Sequence, residues 1–590
     1  MGSTPTRPTI IQSKSNLVNG VNRLLKNGGN RRRFPIKWFN LGNICGKSFY
    51  ATPEEIIGDM MGECAKKRFA VSKAIAVAGI VAALIVGLIV GYFASSMIAV
   101  PIAPKPAVSK IVIGVTDKVT DIDPSNAYDF YTWEVLSNIL GGLMRYAPGT
   151  TELEPGLATS YTVSPDGKEY TFRLRPNLYF ADGTPMTAKD VVRSVKRVME
   201  INGDPAWLVT DFVKDVVAVD DYTVKFILKE PIAFFPALVA TAPYFPVHPA
   251  YKPKEIDSDQ TAGGVGPYRI VKWVRDVELV LEANPYWWQG APKTRQIVIK
   301  FFKDATALRM ALEAGEIDIA WRTLRPADIK DLKGKSGIKV IEVPGAYIRY
   351  IIFNTKIPPF DNPLVRKALA AAVDRKAICE RVFLGTTAPL YSMIPMGMWS
   401  HKDSFLEKYG EHNLELAKKL LKEAGYSETN KLKIELWYTP THYGDTEVDV
   451  ATLIKEAWEE TGMVEVTLKS AEWTTYLEYT RKGMLGATLY GWYPDYIDPD
   501  DYTSPWVNAS WTGYAYSNPE LIKILKEARV KPTVEERAKL YEKAQDIWAE
   551  DAAIVPIFQG KLAVAVREGV EGVILDPTML FRYWLIYKTS

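Results

Sequence analysis

The sequence predicts an α/β protein of more than one lobe, set behind a single membrane-crossing helix. Three observations lead there. At 590 residues the chain is long enough for more than one hydrophobic core. From about residue 108 onward, alternating strand-like segments are interspersed with amphipathic helical ones instead of being segregated into blocks. Ahead of them stands an uncharged run of 27 residues, Ala74–Val100, longer than the ~20 apolar residues a helix needs to span a bilayer.

Residues 1–73 form a basic head. Thirteen Lys/Arg against four Asp/Glu give it a charge of +9, so with +3 for the whole chain the remainder carries −6. Its Gly, Asn and Arg clusters, as in KNGGNRRRF, and its weak periodicity predict disorder. The apolar run 74–100 is hydrophobic on every face, which suits lipid better than a core. Lys66, Lys67, Arg68 and Lys73 flank its N-side, while the far side is neutral until Lys105. Positive charge stays inside, so the expected placement is single-pass in the cell membrane, with a cytoplasmic N-terminus and an extracytoplasmic body. Residues 101–110, PIAPKPAVSK, read as a semi-rigid stalk. Neither Cys45 nor Cys64 follows an apolar signal, and Cys379 is the lone cysteine of the body, expected as a helical core thiol.

The body then unfolds in order. KIVIGVT is a β-branched strand. KEYTFRLRPNLYFADGTPMTAKDVVRSVKRVM reads as an alternating strand, a turn at Asp182-Gly183 and a helix from about Thr187. YTVKFILKE and VELVLEA alternate as strands, and TALRMALEAGEIDIAW is a helix, a glycine stop and a short buried strand. NLELAKKLLKEAGYS is an amphipathic helix closed by Gly425. KLKIELWYT, MVEVTLKSA and AAIVPIFQGKLAVAV complete the strands.

Several chemistries are excluded. DYIDPDDY lacks the spacing and the glycine of a calcium loop. His248, His401, His412 and His442 are scattered, with no HExxH or CxxC for zinc or nickel, and nothing calls for a cofactor. There is no GxSxG elbow and no Cys/His pairing, so the chain is read as a non-enzyme. NLGNICGKS falls one residue short of a P-loop. An acidic extracytoplasmic body excludes nucleic acid, and Arg31-Arg32-Arg33 is assigned to lipid headgroups or topology.

Four segments in order carry a resemblance: Leu153–Val191 (LEPGLATSYTVSPDGKEYTFRLRPNLYFADGTPMTAKDV), Gly263–Trp288 (GGVGPYRIVKWVRDVELVLEANPYWW), Tyr350–Ile378 (YIIFNTKIPPFDNPLVRKALAAAVDRKAI) and Tyr490–Trp506 (YGWYPDYIDPDDYTSPW). Together they resemble the extracytoplasmic solute-binding proteins of the peptide/nickel (oligopeptide/dipeptide) ABC-transporter family, over about residues 108–588. KKRFAVSK also resembles the processing site of archaeal prepilin-like signal peptides, where cleavage after Ala70 would keep the apolar helix as an anchor. This marks an archaeal-type, membrane-anchored member.

The resemblance implies a two-lobed, periplasmic-binding-protein-like (type II) α/β fold with a subdomain inserted in lobe 1. Lobe 1 is expected at 108–150, 261–350 and 552–590, the insert at 151–260 and lobe 2 at 351–551, with hinges near YIIFNT and AAIVPIF. It implies a receptor that closes on a dipeptide or oligopeptide and delivers it to an ABC permease with its ATPase subunits. Oligosaccharides of the cello/xylo type are the alternative ligand, favoured by Trp399, Trp473, Trp492, Trp506 and Trp511. A membrane-tethered hydrolase or sensor on the same fold is the remote one.

By the same resemblance, Asp495 in GWYPDY is the acceptor of a peptide's α-ammonium, with Trp492 and Tyr493 as aromatic walls. The later Asp498, Asp500 and Asp501 are expected in solvent. Tyr128, Asp129, Phe130 and Tyr131, following the DP turn, are implied as the opposite wall, with Asn354 on a hinge strand and Phe558 and Gln559 on the returning strand. One departure stands out: no arginine shortly precedes the GW pair, and Arg481 and Lys482 lie farther back, which leaves a ligand carboxylate without an assigned partner. The sequon Asn508-Ala509-Ser510 lies close to this loop.

Overall fold

The computed structural model describes residues 109–119, 121–440, 442–507 and 516–589. The basic head, the apolar run 74–100, most of the stalk, Trp511 and the sequon at Asn508 lie outside the described residues. Among the described residues, no helix is long and apolar enough to cross a membrane.

Strong local patterns fold as their periodicity dictates. KIVIGV forms the strand Lys110–Val115, buried from Ile111 onward. The helix expected from Thr187 runs Ala188–Ile201, and the Asp190 carboxylate accepts the Thr187 N–H at 2.9 Å, closing its first turn. TALRMALEAG becomes the helix Ala305–Ala314, stopped by Gly315 at φ +78°, where a side chain would be strained. The helix Leu414–Glu423 is capped by Asn413, whose side chain accepts the Leu416 N–H. Cys379 is buried in the wide turn Ile378–Val382, and burial pushes its thiol up to about 11, which leaves it unreactive.

An eleven-stranded mixed sheet runs through both lobes. From one edge its order is Val464–Ser470, Leu432–Tyr438, Ala487–Trp492, Ile338–Phe353, Ile554–Arg567, Ile319–Trp321, Lys110–Val115, Gln296–Phe301, Glu278–Ala283 and Tyr268–Val274, with Thr387–Pro389 added beside Ile554–Arg567. Two large hydrophobic cores, and a smaller third around Leu308, Leu312 and Leu332, flank this path. The first gathers the strands around Ile111 and Ile113 with the helix Phe130–Ile139; the second packs the helices carrying Leu369, Trp458 and Trp548. The two longest strands, Ile338–Phe353 and Ile554–Arg567, pair antiparallel and belong to both cores. Val564 and Val566 sit in the first core, Ile554–Phe558 in the second, so the chain passes between lobes near Gly560. Register shifts between Pro344 and Ile348, and between Arg349 and Tyr350, mark the same level. The expected boundary at 350/351 falls within the second-core part of Ile338–Phe353, and the one at 551/552 falls at the end of the helix Val534–Asp551, just ahead of Ile554–Arg567.

A separate four-stranded antiparallel sheet, ordered Ala158–Val163, Glu169–Leu174, Thr223–Leu228 and Val213–Asp220, packs with the helix Ala188–Ile201 onto the first core. Arg197 on this helix binds Asp123 bidentately at 2.6 and 2.7 Å, both side chains almost fully buried. Burial opposes the Asp123 charge, but the Arg197 bonds outweigh it and hold the carboxyl below its usual range. The pair fixes the turn that delivers Tyr128 to the cleft.

Candidate ligand-binding site

The strand Ala487–Trp492 pairs antiparallel with the crossing strand, Gly491 opposite Arg349 and Trp492 opposite Ile348. Past its end the chain turns across to the first lobe. Tyr496 stacks on Phe234 of the inserted sheet region (centroids 5.2 Å apart), and the Ile497 N–H donates to the Tyr146 hydroxyl at 3.0 Å. It then re-enters the second lobe as the short helix Pro499–Thr503, N-capped by Asp498. A segment of lobe 2 is thus held against lobe 1, with Asp495 at its turn.

Asp495 is half-buried, and the Tyr128 hydroxyl from lobe 1 donates to its Oδ2 at 2.9 Å. Tyr128 itself is 41% exposed, so the two occupy a crevice with dense walls and an open mouth. Among the described residues no basic side chain pairs with Asp495. Burial, opposed by the Tyr128 bond, pushes its carboxyl up to about 7. Around it the Tyr493 ring lies between Phe130 at 4.9 Å and Tyr347 at 5.3 Å, and the Trp492 indole packs edge-on against Trp506 at 5.1 Å. A cavity of about 30 Å³ adjoins Asp495, lined in part by Phe130, Trp133, Pro494 and Tyr496. That is room for water rather than for an amino-acid residue.

Of the sequence-derived candidates, the structure gathers Asp495, Trp492, Tyr493, Tyr128 and Phe130 in one place. It commits the others to internal partners. The Asp129 carboxylate N-caps the helix Phe130–Ile139, accepting the Thr132 N–H at 2.8 Å. Tyr131 is 2% exposed, with its hydroxyl 3.5 Å from that of Tyr583. The Asn354 amide donates to Gly483 O, and its carbonyl accepts the Lys356 N–H. Gln559 donates to Gly345 O and Met396 O, and Phe558 packs on Phe383 at 4.6 Å. Lys482 pairs with Glu478 on the exposed surface, and Trp506 is 3% exposed and packed on Tyr350.

The later aspartates correct the expectation of solvent. Asp498 is 5% exposed and Asp500 and Asp501 are fully buried. Asp498 binds Arg537 at 2.6 and 2.8 Å, and Asp500 binds Arg529 at 2.9 to 3.2 Å. Arginines far along the chain supply the counter-charge that a local reading of the loop omits.

Sequence reasoning also missed Tyr347, Arg349 and Arg322. Arg349 is 5% exposed, bound to Glu447, with its guanidinium 3.6 Å over the Tyr443 ring. Arg322, with φ +60°, binds Asp117 at 2.6 Å. A charged residue inside the apolar run YIRYIIF was a readable signal for Arg349; nothing local distinguishes Arg322. Tyr347 lies over Gly560, where a Cβ would come within 1.6 Å of the Tyr347 Cζ. Gly560→Ala is therefore expected to push Tyr347 off Tyr493 and to cost about 1–3 kcal/mol, as overpacking does. Thermal unfolding reads the loss, and an unchanged midpoint counts against the contact.

Among the described residues no three His, Cys, Asp or Glu side chains are disposed to hold a metal. Asp495 is thus a half-buried carboxyl with aromatic neighbours at a lobe junction and no basic partner among the described residues.

Comparison with known proteins agrees. Residues 152–514 match the model of the bacterial extracellular solute-binding proteins, family 5, middle region. Heme-binding protein A of Haemophilus influenzae is 32% identical, covering 76% of this chain and 86% of that protein. The probable D,D-dipeptide-binding periplasmic protein DdpA of Escherichia coli is 28% identical, over 80% of this chain and 92% of that protein. The periplasmic binding protein DppA of Helicobacter pylori, solved with the peptide STSA, superposes with a TM-score of 0.71 at 26% identity, covering 82% of this chain and 98% of that structure. These relatives bind substrates and are not enzymes. With a matching family model over more than half its length and this two-lobed architecture, the chain belongs to the family 5 extracellular solute-binding proteins.

Proposed function

We propose that the protein is the extracytoplasmic receptor of an ABC importer, which closes two lobes on a short peptide and delivers it to a permease and its ATPase subunits. The observation that carries this reading is Asp495, a half-buried carboxyl with aromatic walls, contributed by lobe 2 and met by Tyr128 of lobe 1. Such a group lacks one thing, a cation, and a peptide's α-ammonium supplies it with charge-assisted hydrogen bonds. Contacts from both lobes make the ligand favour the closed state, which is what drives closure. Relatives of the same fold are named for a D,D-dipeptide and a peptide, which supports that ligand class here. Asp495, Trp492, Tyr493, Tyr128 and Phe130 form the contact set of this reading. Lobe 1 comprises 108–150, 261–350 and 552–590, the insert 151–260 and lobe 2 the residues 351–551, with each lobe crossing a few residues from those bounds.

A thermal-shift and calorimetric screen against mixed peptides, cello- and xylo-oligosaccharides and haem tests the ligand class. Peptides are expected to stabilise the protein; stabilisation by sugars or haem and none by peptides sinks the peptide reading. The uncharged run Ala74–Val100 supports a single-pass anchor of archaeal type, with the head on the cytoplasmic side or removed near Ala70. The full chain is expected to stay with membranes through a high-salt wash, and a variant lacking 74–100 to be released. Release of both forms counts against the anchor.

A further inference from the structure

The four acids of the Asp495 loop divide in two. Asp498 and Asp500 each have an arginine, Arg537 and Arg529. Asp495 and Asp501 have no basic partner among the described residues. Asp501 is fully buried. Its Oδ2 accepts two hydrogen bonds at 3.1 Å, one from the Trp492 indole N–H and one from the backbone N–H of Asp495, and its Oδ1 accepts none. The carboxyl therefore pins both the residue read as the ammonium acceptor and the indole beside it, from a position no ligand reaches.

We propose that Asp501 is a positioning residue of the ligand site and works as a neutral carboxylic acid, holding Asp495 and Trp492 in place while leaving Asp495 as the pocket's single negative charge. The inference rests on the reading of Asp495 as the ligand's counter-charge. Two neighbouring carboxyls without cations do not both ionise out of water. Asp495 has a path to solvent and the Tyr128 donor; Asp501 has neither, so the proton stays on Asp501. The titratable groups facing Asp501 are Asp495 and Asp500 of its own loop, the latter neutralised by Arg529, and the phenols of Tyr496 and Tyr502. Tyr128 and Tyr146 face it from lobe 1 and Tyr350 from the crossing strand. None brings a positive charge. Burial first, and the Asp495 charge second, push the Asp501 carboxyl well above its usual range, against the pull of the two N–H bonds.

Asp501→Asn keeps an acceptor oxygen for both N–H groups and removes only the ionisable proton; Asp501→Leu removes the acceptor. With the full chain in detergent and trialanine as probe, Asp501→Asn is expected to bind within about threefold of the parent, with the pH midpoint of affinity unmoved, while Asp501→Leu loses at least about tenfold. An ionised Asp501 gives a different outcome: Asp501→Asn weakens trialanine by about tenfold or more, or lowers the pH midpoint by about one unit, and the proposal fails. Parent-like affinity in Asp501→Leu removes the positioning role. Infrared difference spectra of ligand-free parent and Asp501→Asn near pH 8 read the proton directly. A protonated-carboxyl stretch that disappears in the variant is expected, and its absence from the parent overturns the proposal whether or not a peptide binds. If the stretch is present and trialanine fails to bind the parent, the peptide reading fails and the neutral Asp501 stands.

Discussion

Asp495→Asn is expected to cost roughly 10²–10³-fold in affinity for an unblocked peptide, because removing one partner of a desolvated charge pair typically costs ~2–5 kcal/mol. The substitution changes little else. Asparagine matches aspartate in shape, and its carbonyl still accepts the Tyr128 hydroxyl that reaches Oδ2 at 2.9 Å. What disappears is the charge of the one carboxyl that meets Tyr128 across the crevice. N-acetylation of the peptide supplies the matching deletion on the ligand side: the blocked peptide should bind the parent weakly and lose little more in the variant. Calorimetry reads all four combinations. Equal losses from the variant for blocked and unblocked peptides would remove Asp495 from the ammonium site.

The same carboxyl sets a pH dependence with a definite sign. Burial raises Asp495 to about 7 from an ordinary 3.8. In the empty protein the folded state keeps this proton over a range where the unfolded chain has lost it. The stability contribution is thus complete below about pH 3.8 and is lost as pH rises through about 7. Affinity for an ammonium runs the other way, rising with pH through about 7 and levelling off on the alkaline side, where Asp495 is fully ionised. Opposite slopes for stability and binding, both absent in Asp495→Asn, are the expected signature.

How much of this was legible in the sequence depended on how far apart the interacting groups lie. Helices such as Ala188–Ile201 and Leu414–Glu423 carry their caps and periodicity within a few residues, and they formed where expected. The N-cap role of Asp129 is equally local, an aspartate directly before a helix, yet the resemblance assigns it to the ligand through the DP turn it follows. The acidic loop shows the opposite limit. Asp500 meets its arginine 29 residues downstream and Asp498 meets its own 39 residues downstream, through helices whose docking no local pattern specifies. Read without those partners, the three later acids look like surface. With them, Asp498 and Asp500 are structural, Asp501 is a buried acid that accepts two N–H bonds but has no basic partner among the described residues, and Asp495 stands half-buried at the crevice. The two-lobed fold was carried by four motifs in register. The level at which the lobes cross was not, since it is set by strand register and by how closely Tyr347 approaches Gly560.

The second large effect concerns what keeps that loop in place. Arg537 sends two bonds to Asp498 at 2.6 and 2.8 Å and one to Ala528 O at 3.1 Å, and its side chain and that of Asp498 are 4% and 7% exposed. Arg537→Met keeps most of the aliphatic packing and removes the charge, leaving a buried carboxylate with nothing opposite it. The expected cost is about 3–5 kcal/mol. Lys189→Met, which removes the partner of Asp221 from a pair 75% and 58% exposed, is the contrast and should cost less than ~1 kcal/mol. If the stranded charge is the cause, adding Asp498→Asn to Arg537→Met should recover much of the loss, because the amide oxygen still accepts the Asp500 N–H that caps Pro499–Thr503 while the charge is gone. Urea unfolding followed by tryptophan emission reports this region, since Trp399 lies 5.0 Å from the Arg537 guanidinium. A cost for Arg537→Met no greater than that of Lys189→Met, or no recovery in the double variant, would mean that packing rather than charge compensation holds the loop, and that the Asp495 turn is anchored chiefly by Tyr496 on Phe234.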